Sequence, residues 1–463
     1  MWRKSELSSG LLTDFYHVDA AYVSWRAGLN TPATFDLYTR HAPFGSAYLL
    51  TAGLEIALTF ATHFHYTEEE IAYLRTLRPY DEGFLDELRR LRFTGEILAI
   101  PEGEVAFANE PLLRVTAPFR EALLLESGLL HTVGVSTLIA TKAARVVHAA
   151  RGRPVAEFGY RRAQEPYLAA RSAIIGGCAS TSFLSAAHAF KVPTSGTIPH
   201  ALVQLFPTEE DAFRAVAESL ERYTFLLDTY DVHRAIHTAV RIALDVKQRL
   251  GHQLYAVRLD SGDLLADSRY CRAVLDEAGL HEVRIFASGD LDEYRIDELV
   301  SANAPIDAFG VGTSLSTGAG SVKHGVSGGA LGSVYKLVNL SGSGSLDARI
   351  KLAGEKSTWP GKKQVVRIGT FERDIIQLDD EPVPAHGRPL LQPAIRDGEI
   401  VPGVLAPLLD IKQRAAAALA ELPEQYKALT NAPEYPVERS AALVQLRERA
   451  MAAYAAAGAQ RES

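Results

Sequence analysis

YAVRLDSGDLLADSRYCRAVLDEAGLHEVRIFASGDLDEY, residues 255–294, carries the same pattern twice in succession. A short apolar or β-branched run ends in a charged or Gly-rich turn, and a helical stretch follows. The pattern extends in both directions. Such runs stand near Val155, Val192, Phe225, Tyr255, Val283 and Ile306, at steps of 37, 33, 30, 28 and 23 residues, the length of a strand–helix unit. Repeated units of this kind build a parallel sheet, closed as a barrel or open as a doubly wound layer. Polar clusters mark the strand ends: FGYRR at 158–162, SGT at 195–197, DTYD at 228–231, RLDSGD at 258–263, ASGD at 287–290 and FGVGT at 309–313. In both architectures that edge is where sites are built.

On either side the pattern changes. From Glu68 to Arg92, Ile71, Leu74, Leu77, Phe84, Leu85, Leu88 and Leu91 recur at helical steps. GEILAI (95–100) and EVAFANEPLLRV (104–115), turning at Pro101 and Gly103, predict a small antiparallel sheet, and Glu121 to Ala150 a long helix. Past Gly332, SVYKLVNL (333–340), ARIKLA (348–353) and QVVRIGTFE (364–372) read as strands able to complete the early sheet. An alanine-rich helix begins at Asp410, another runs from Arg439 to Ala457, and the tail AQRES (459–463) is expected to fray.

The chain has 463 residues, a soft prior of two to three domains. With 48 Lys and Arg against 56 Asp and Glu, its net charge is −8, so no strongly basic face awaits a nucleic-acid backbone. At 47% hydrophobic residues it can bury a large core, which excludes wholesale disorder. Cys178 and Cys271 lie in separate segments, giving no basis for a zinc ribbon or disulfide framework. MWRKSELSSG lacks the apolar stretch of a signal peptide, and Ser172 to Phe190 is too polar to span a membrane. The expectation is a soluble, cytoplasmic protein.

At 258–263 two carboxylates and a Gly turn follow a strand within five residues. Such a group can hold Mg²⁺, bind sugar hydroxyls or cap the next helix. Capping leaves Arg258 unexplained, because a guanidinium at a strand end needs an anionic partner or ligand. ASGDLDEY (287–294) and FGVGTSL (309–315) each put Gly between a strand and a helix. Singly these are turns; on consecutive units they suggest a phosphate cradle. Phe158, Tyr160, Arg161 and Arg162 set aromatic faces beside guanidinium groups, suited to a flat anion or to a core aromatic with surface arginines. His200, in SGTIPHAL, sits on a loop where a nucleophile or acid–base group would stand, though it is one of 14 histidines. His63 and His65 do not share a helix face, and His233 and His237 lack the Glu of HExxH, so all four are read as structural.

Together these segments resemble the nicotinate phosphoribosyltransferase family. The resemblance runs through LLTDFY (11–16), RFTGEI (92–97), PEGEVAFANEPLLRV (101–115), TLIATKAAR (137–145), EFGYRRAQ (157–164), SGTIPHAL, DTYD, RLDSGD, ASGDLDEY, APIDAFGVGT and PGKKQVVR (360–367). It implies conversion of nicotinate and phosphoribosyl pyrophosphate to nicotinate mononucleotide and pyrophosphate, with ATP hydrolysis, at the entry of nicotinic acid into NAD synthesis. By this resemblance, Phe158 and Tyr16 of a second subunit sandwich nicotinate, implying a homodimer. Arg161 and Arg258 hold anionic groups. Gly289, Asp290, Gly312 and Thr313 grip the 5′-phosphate, Ser288 is a further substrate-binding residue, and Asp260 orients ribose hydroxyls, with Mg²⁺ on the pyrophosphate and no residue assigned as a metal ligand. His200 matches the family's phosphorylated histidine, with ATP as phosphoryl donor.

The chain departs from the family's pattern in two places: GTIPHA stands for the commoner GTxAHS, as in an archaeal-type branch, and Glu165 follows RRAQ. Neutral Thr181, near an acidic position of nicotinamide-using relatives, favours the acid substrate. Nicotinamide or quinolinate use, or a non-catalytic nucleotide-binding protein, are the alternatives. The implied architecture is an irregular TIM-like α/β barrel over 131–335, a β-rich domain from 1–130 completed by strands at about 336–400, and a helical segment over 401–463.

Overall fold

The computed structural model describes residues 8–342, 347–352 and 357–459. The chain divides into two units, one formed by 1–141 with 326–463 and the other by 142–325.

In the first unit a six-stranded sheet is antiparallel throughout. Its order is Ser333–Leu340, Pro32–Thr39, Leu113–Pro118, Glu96–Ala99, Gln392–Arg396 and Glu399–Ile400. Of the later strands read in sequence, Ser333–Leu340 completes one side of this sheet, whereas QVVRIGTFE joins a different sheet; the other side is completed by Gln392–Arg396 and Glu399–Ile400. Inner positions such as Phe35, Leu37, Ile97 and Val115 are buried, and Phe35 stacks on Tyr335 with centroids 4.7 Å apart. A second sheet runs Gly387–Pro389, Lys363–Ile368, Arg373–Leu378 and Val437–Arg439.

The helical pattern at 68–92 is two helices, Glu68–Leu77 and Glu82–Arg90. The first is fixed by a capping box between Thr67 and Glu70. Within ARIKLA the described residues show only an isolated bridge, Asn339 to Ala348, in place of a strand; its last residue lies outside the described chain, as do 460–463 of the tail. Residues 401–463 are more than helices, since Val437–Arg439 pairs in parallel with Arg373–Leu378.

The second unit is the parallel sheet. Its six strands, in spatial order, are Ser180–Thr181, Val155–Glu157, Ala308–Val311, Arg284–Ala287, Gln253–Leu259 and Arg222–Leu226. The curled sheet is an irregular half-barrel: Thr194 adds one bridge beyond Thr181, and no pairing joins that edge to Arg222–Leu226 among the described residues. The strand expected near Val192 therefore shrinks to this bridge. The unit begins at Lys142 and ends at Gly325, inside the expected 131–335.

The intervening helices follow their sequence signals. Val232–Leu250 is capped by Asp231, whose carboxylate accepts the Arg234 N–H at 2.8 Å, and ends at Gly251 in the left-handed region. Its buried stripe, Ala235, Ile236, Ala239, Ile242, Ala243 and Val246, has helical spacing and packs on the sheet. Asp263 and Asp292 cap Leu264–Glu277 and Glu293–Ser301 in the same way.

Candidate active site

The two readings of RLDSGD are realised on different residues. Asp263 caps the next helix, accepting from the N–H groups of Leu265 and Ala266 at 3.1 and 3.2 Å. Asp260 instead turns to Arg258. The Arg258 Nη2 donates to Asp260 Oδ1 at 2.5 Å, Nε to Ser288 Oγ at 2.7 Å and Nη1 to Thr197 Oγ1 at 2.7 Å. The Ser288 hydroxyl donates to the same Asp260 oxygen at 2.5 Å. Burial raises the Asp260 pKa, but the Ser288 hydrogen bond and the Arg258 guanidinium outweigh it, so the carboxyl lies below its ordinary value. His200 completes the group: its Nε2 is 3.8 Å from Asp260 Oδ2, and its Nδ1 lies 3.1 Å from Thr229 Oγ1.

Gly289 is where the turn of Arg284–Ala287 presses on that of Gln253–Leu259. Its φ is +87°, and a Cβ there would lie 1.6 Å from the Asp260 carbonyl oxygen. Only glycine permits this approach. Asp290 follows at φ +43°, a left-handed conformation that Asp tolerates better than most residues. Both turns border a cavity of about 510 Å³ whose wall includes Asp260, Gly262, Gly289, Asp290, Tyr294 and His324. Tyr294 and His324 stack with centroids 3.9 Å apart.

Behind Tyr294 lies a fully buried ion cluster. Glu293 pairs with Lys142 at 2.5 Å and with Arg145 at 3.2 Å, and Arg145 Nη2 donates to the Tyr294 hydroxyl at 3.2 Å. Burial lowers the Lys142 pKa against the pull of Glu293. The cluster fixes the start of Glu293–Ser301, whose Tyr294, Arg295 and Glu298 face the cavity. Lys142 and Arg145 are the charges of TLIATKAAR, the segment at 137–145.

At the neighbouring strand ends, Phe158 packs on Phe286 with centroids 5.6 Å apart, and the Arg258 guanidinium lies 5.8 Å from the Phe158 ring. Gly312, heading the short helix Thr313–Ser316, packs close to the Phe158 carbonyl: a Cβ there would lie 3.2 Å from its oxygen. Thr313 accepts a hydrogen bond from Arg162 Nη1 at 3.0 Å. Arg161 is exposed and has no side-chain partner among the described residues.

Thr181 is enclosed. Its hydroxyl donates to Glu157 Oε2 at 2.5 Å, while Glu157 Oε1 accepts the Gly159 N–H. Burial raises the Glu157 carboxyl, with these two bonds opposing. Tyr16 belongs to the first unit, near the start of helix Phe15–Arg26, and is 59% exposed.

Arg258, Asp260, Ser288, Gly289 and His200 are thus brought together, and Phe158 lies beside Arg258. Thr197, Asp228 and Thr229 hold parts of the site without having been singled out individually by sequence, and Arg162, named there beside Phe158, serves to hold Thr313. DTYD and FGYRR flagged their strand ends, but no periodicity pairs side chains 29 to 151 positions apart. The structural reading of His233 and His237 fits their contacts: His233 stacks on Tyr270 and His237 Nε2 lies 3.1 Å from the Tyr270 hydroxyl. No group of three His, Cys, Asp or Glu side chains could hold a metal ion, and no helix is long and apolar enough to cross a membrane, among the described residues.

Residues 11–134 match the nicotinate phosphoribosyltransferase N-terminal domain, and 334–447 match the C-terminal domain of the same family. The chain is 40% identical over 444 residues to nicotinate phosphoribosyltransferase pncB2 of Mycobacterium tuberculosis, covering 94% of this chain and 92% of that protein. It is 38% identical over 465 residues to nicotinate phosphoribosyltransferase of Bacillus subtilis, covering 94% and 93%. The crystal structure of human nicotinic acid phosphoribosyltransferase superposes with a TM-score of 0.83 at 29% identity, over 94% of this chain and 99% of that one.

Proposed function

The chain belongs to the nicotinate phosphoribosyltransferase family, and we infer that its parallel-sheet unit forms nicotinate mononucleotide and pyrophosphate from nicotinate and phosphoribosyl pyrophosphate, with ATP hydrolysis, in NAD salvage. The observation that carries the assignment of the site is the convergence of Arg258, Asp260, Ser288 and His200 at one sheet edge beside an open cavity.

In the reaction the bond from ribose C1 to pyrophosphate breaks as the pyridine nitrogen attacks, and the leaving group departs with the electron pair. Positive charge builds on the sugar and negative charge on the pyrophosphate. The protein's part is to position both reactants and balance that charge. Asp260, kept ionised by Ser288 and Arg258, is suited to accept from ribose hydroxyls. Arg258 spends three of its five N–H donors on its neighbours, so two remain for an anionic oxygen. The turns at Gly289 and Asp290 and at Gly312 and Thr313 offer backbone N–H groups to the 5′-phosphate, while the Ser288 N–H is held by the Leu259 carbonyl at 2.9 Å. Phe158 supplies one apolar face for the pyridine ring, Tyr16 of a second subunit the other, and exposed Arg161 a partner for its carboxylate. The homodimer is part of this proposal.

Thr181 presents no charge of its own, and the Glu157 carboxylate beneath it is occupied by two donors; both features suit an acid over an amide substrate. His200 is assigned as phosphoryl acceptor. An imidazole nitrogen attacks the γ-phosphorus, ADP leaves with the bridging oxygen, and water later removes the phosphoryl group as phosphate.

Mg²⁺ requires few protein ligands when it rides on a pyrophosphate. The ionised Asp260 fits that limited demand, and the ion would neutralise leaving-group charge. Two buried cysteines outside any disulfide accord with a reducing, cytoplasmic setting.

The deciding experiment incubates the protein with phosphoribosyl pyrophosphate and Mg²⁺, with and without ATP, against nicotinate, nicotinamide and quinolinate in competition, and identifies the product. Nicotinate mononucleotide should dominate and ATP should raise its yield. Faster turnover of nicotinamide would overturn the specificity, and no transfer to any pyridine would favour a non-catalytic nucleotide-binding role.

A further inference from the structure

We propose that Thr229 is a positioning residue for His200, and that the turn after Arg222–Leu226 sets the imidazole and the Asp260 loop as one piece. The inference rests on the reading of His200 as phosphoryl acceptor and goes beyond it by naming what aims the ring.

Three consecutive residues make the connection. The Leu227 N–H donates to the Arg258 carbonyl at 3.1 Å. Asp228 Oδ2 accepts the Asp260 N–H at 3.2 Å and the Ser261 hydroxyl at 2.5 Å. Thr229 Oγ1 then lies 3.1 Å from His200 Nδ1. His200 stands on a different element, as the first residue of the short helix His200–Leu205 after Pro199, and its side chain is 41% exposed. Left to itself, a half-exposed imidazole samples several χ1 wells. The Thr229 contact selects the one in which Nε2 faces Asp260 Oδ2 at 3.8 Å.

The chemistry of a hydroxyl suits this place. It accepts from a protonated Nδ1 and donates to an unprotonated one, so it keeps its partner through either tautomer of the ring. Valine has the same shape and neither capacity. Serine keeps both. Because Asp228 and Thr229 are adjacent, the Asp260 loop and the imidazole cannot drift apart without breaking one of these bonds.

The test compares wild type with Thr229→Val, Thr229→Ser, His200→Ala and the double variant His200→Ala/Thr229→Val. The readouts are phosphoryl incorporation from γ-labelled ATP and ATP-independent nicotinate mononucleotide formation, with thermal melting to establish that each protein is folded. Loss of one orienting hydrogen bond predicts about tenfold slower incorporation in the valine variant, recovery to within about threefold in the serine variant, and no further effect of valine when His200 is absent. Full incorporation by His200→Ala would overturn the acceptor reading. Full incorporation by Thr229→Val beside an unlabelled His200→Ala would overturn the positioning role alone. So would an equal loss of ATP-independent transfer on adding Thr229→Val to His200→Ala, since Thr229 would then act other than through the ring. Should the valine variant not fold, Thr229→Ala takes its place with the same expectations.

Discussion

Replacing Gly289 by Ala adds one methyl group at the tightest backbone contact of the site. That methyl would lie 1.6 Å from the Asp260 carbonyl oxygen, where real contacts essentially never fall under 3.0 Å, so the two turns must part by about 1.4 Å. The backbone also sits at φ +87°, where a Cβ costs about 1–2 kcal/mol. The larger consequence is geometric. In the proposed site Asp260 is the carboxylate assigned to the ribose and Gly289 the turn assigned to the phosphate, and a displacement of about 1 Å at reacting groups costs about a hundredfold in rate. The expected outcome is a fall of about a hundredfold in kcat/KM for phosphoribosyl pyrophosphate, about 2.7 kcal/mol, with a lowered melting temperature. Steady-state assays with saturating nicotinate, alongside thermal unfolding, measure both. A variant within threefold of wild type and equally stable would refute the claim that this contact sets the site.

Three further outcomes follow from other contacts. Glu110 is held above the ordinary carboxyl range by burial and then by the neighbouring Asp374, against Arg367 and the Phe107 N–H. The folded chain therefore keeps a proton that the unfolded chain releases: this stability is full below the unfolded pKa and is lost as pH rises toward the folded one. Urea unfolding of Glu110→Gln between about pH 5 and about pH 8 should show a flatter pH dependence than wild type; an unchanged slope would contradict the assignment. Lys363 and Asp36 form a buried pair at 2.8 Å, so Lys363→Met should cost about 3–5 kcal/mol by stranding the carboxylate. Asp36→Leu/Lys363→Met should recover most of that loss in the urea midpoint. Arg161→Gln should raise the KM for nicotinate about tenfold while leaving the melting temperature unchanged; a change in melting temperature instead would make Arg161 structural.

The parallel sheet was legible because three of its strands, Arg222–Leu226, Gln253–Leu259 and Arg284–Ala287, announce themselves twice, by an apolar run and by a capping Asp after it, as Asp231, Asp263 and Asp292 do. Ser180–Thr181 escaped this reading: two polar residues form a strand only because Val155–Glu157 pairs with them. Val192 misled because its apolar run forms no ladder: only Thr194, two residues further on, bridges Thr181 at the open edge of the sheet. In the site, local signals found Arg258, Asp260 and Gly289. Thr197 and Thr229 were invisible because their roles exist only when loops 61 and 29 positions apart in sequence meet. Thr181 was located by the resemblance, but its hydrogen bond to Glu157 required coordinates.

The antiparallel sheet has a consequence for how the chain is born. Pro32–Thr39 is flanked by Ser333–Leu340, and Glu96–Ala99 by Gln392–Arg396, so both margins stay open on the ribosome until most of the polypeptide has emerged. Meanwhile residues 142–325 can settle from contacts among themselves. A nascent chain stalled before residue 333 presents two bare strand margins with apolar faces, the surface to which holdase chaperones and aggregating neighbours bind.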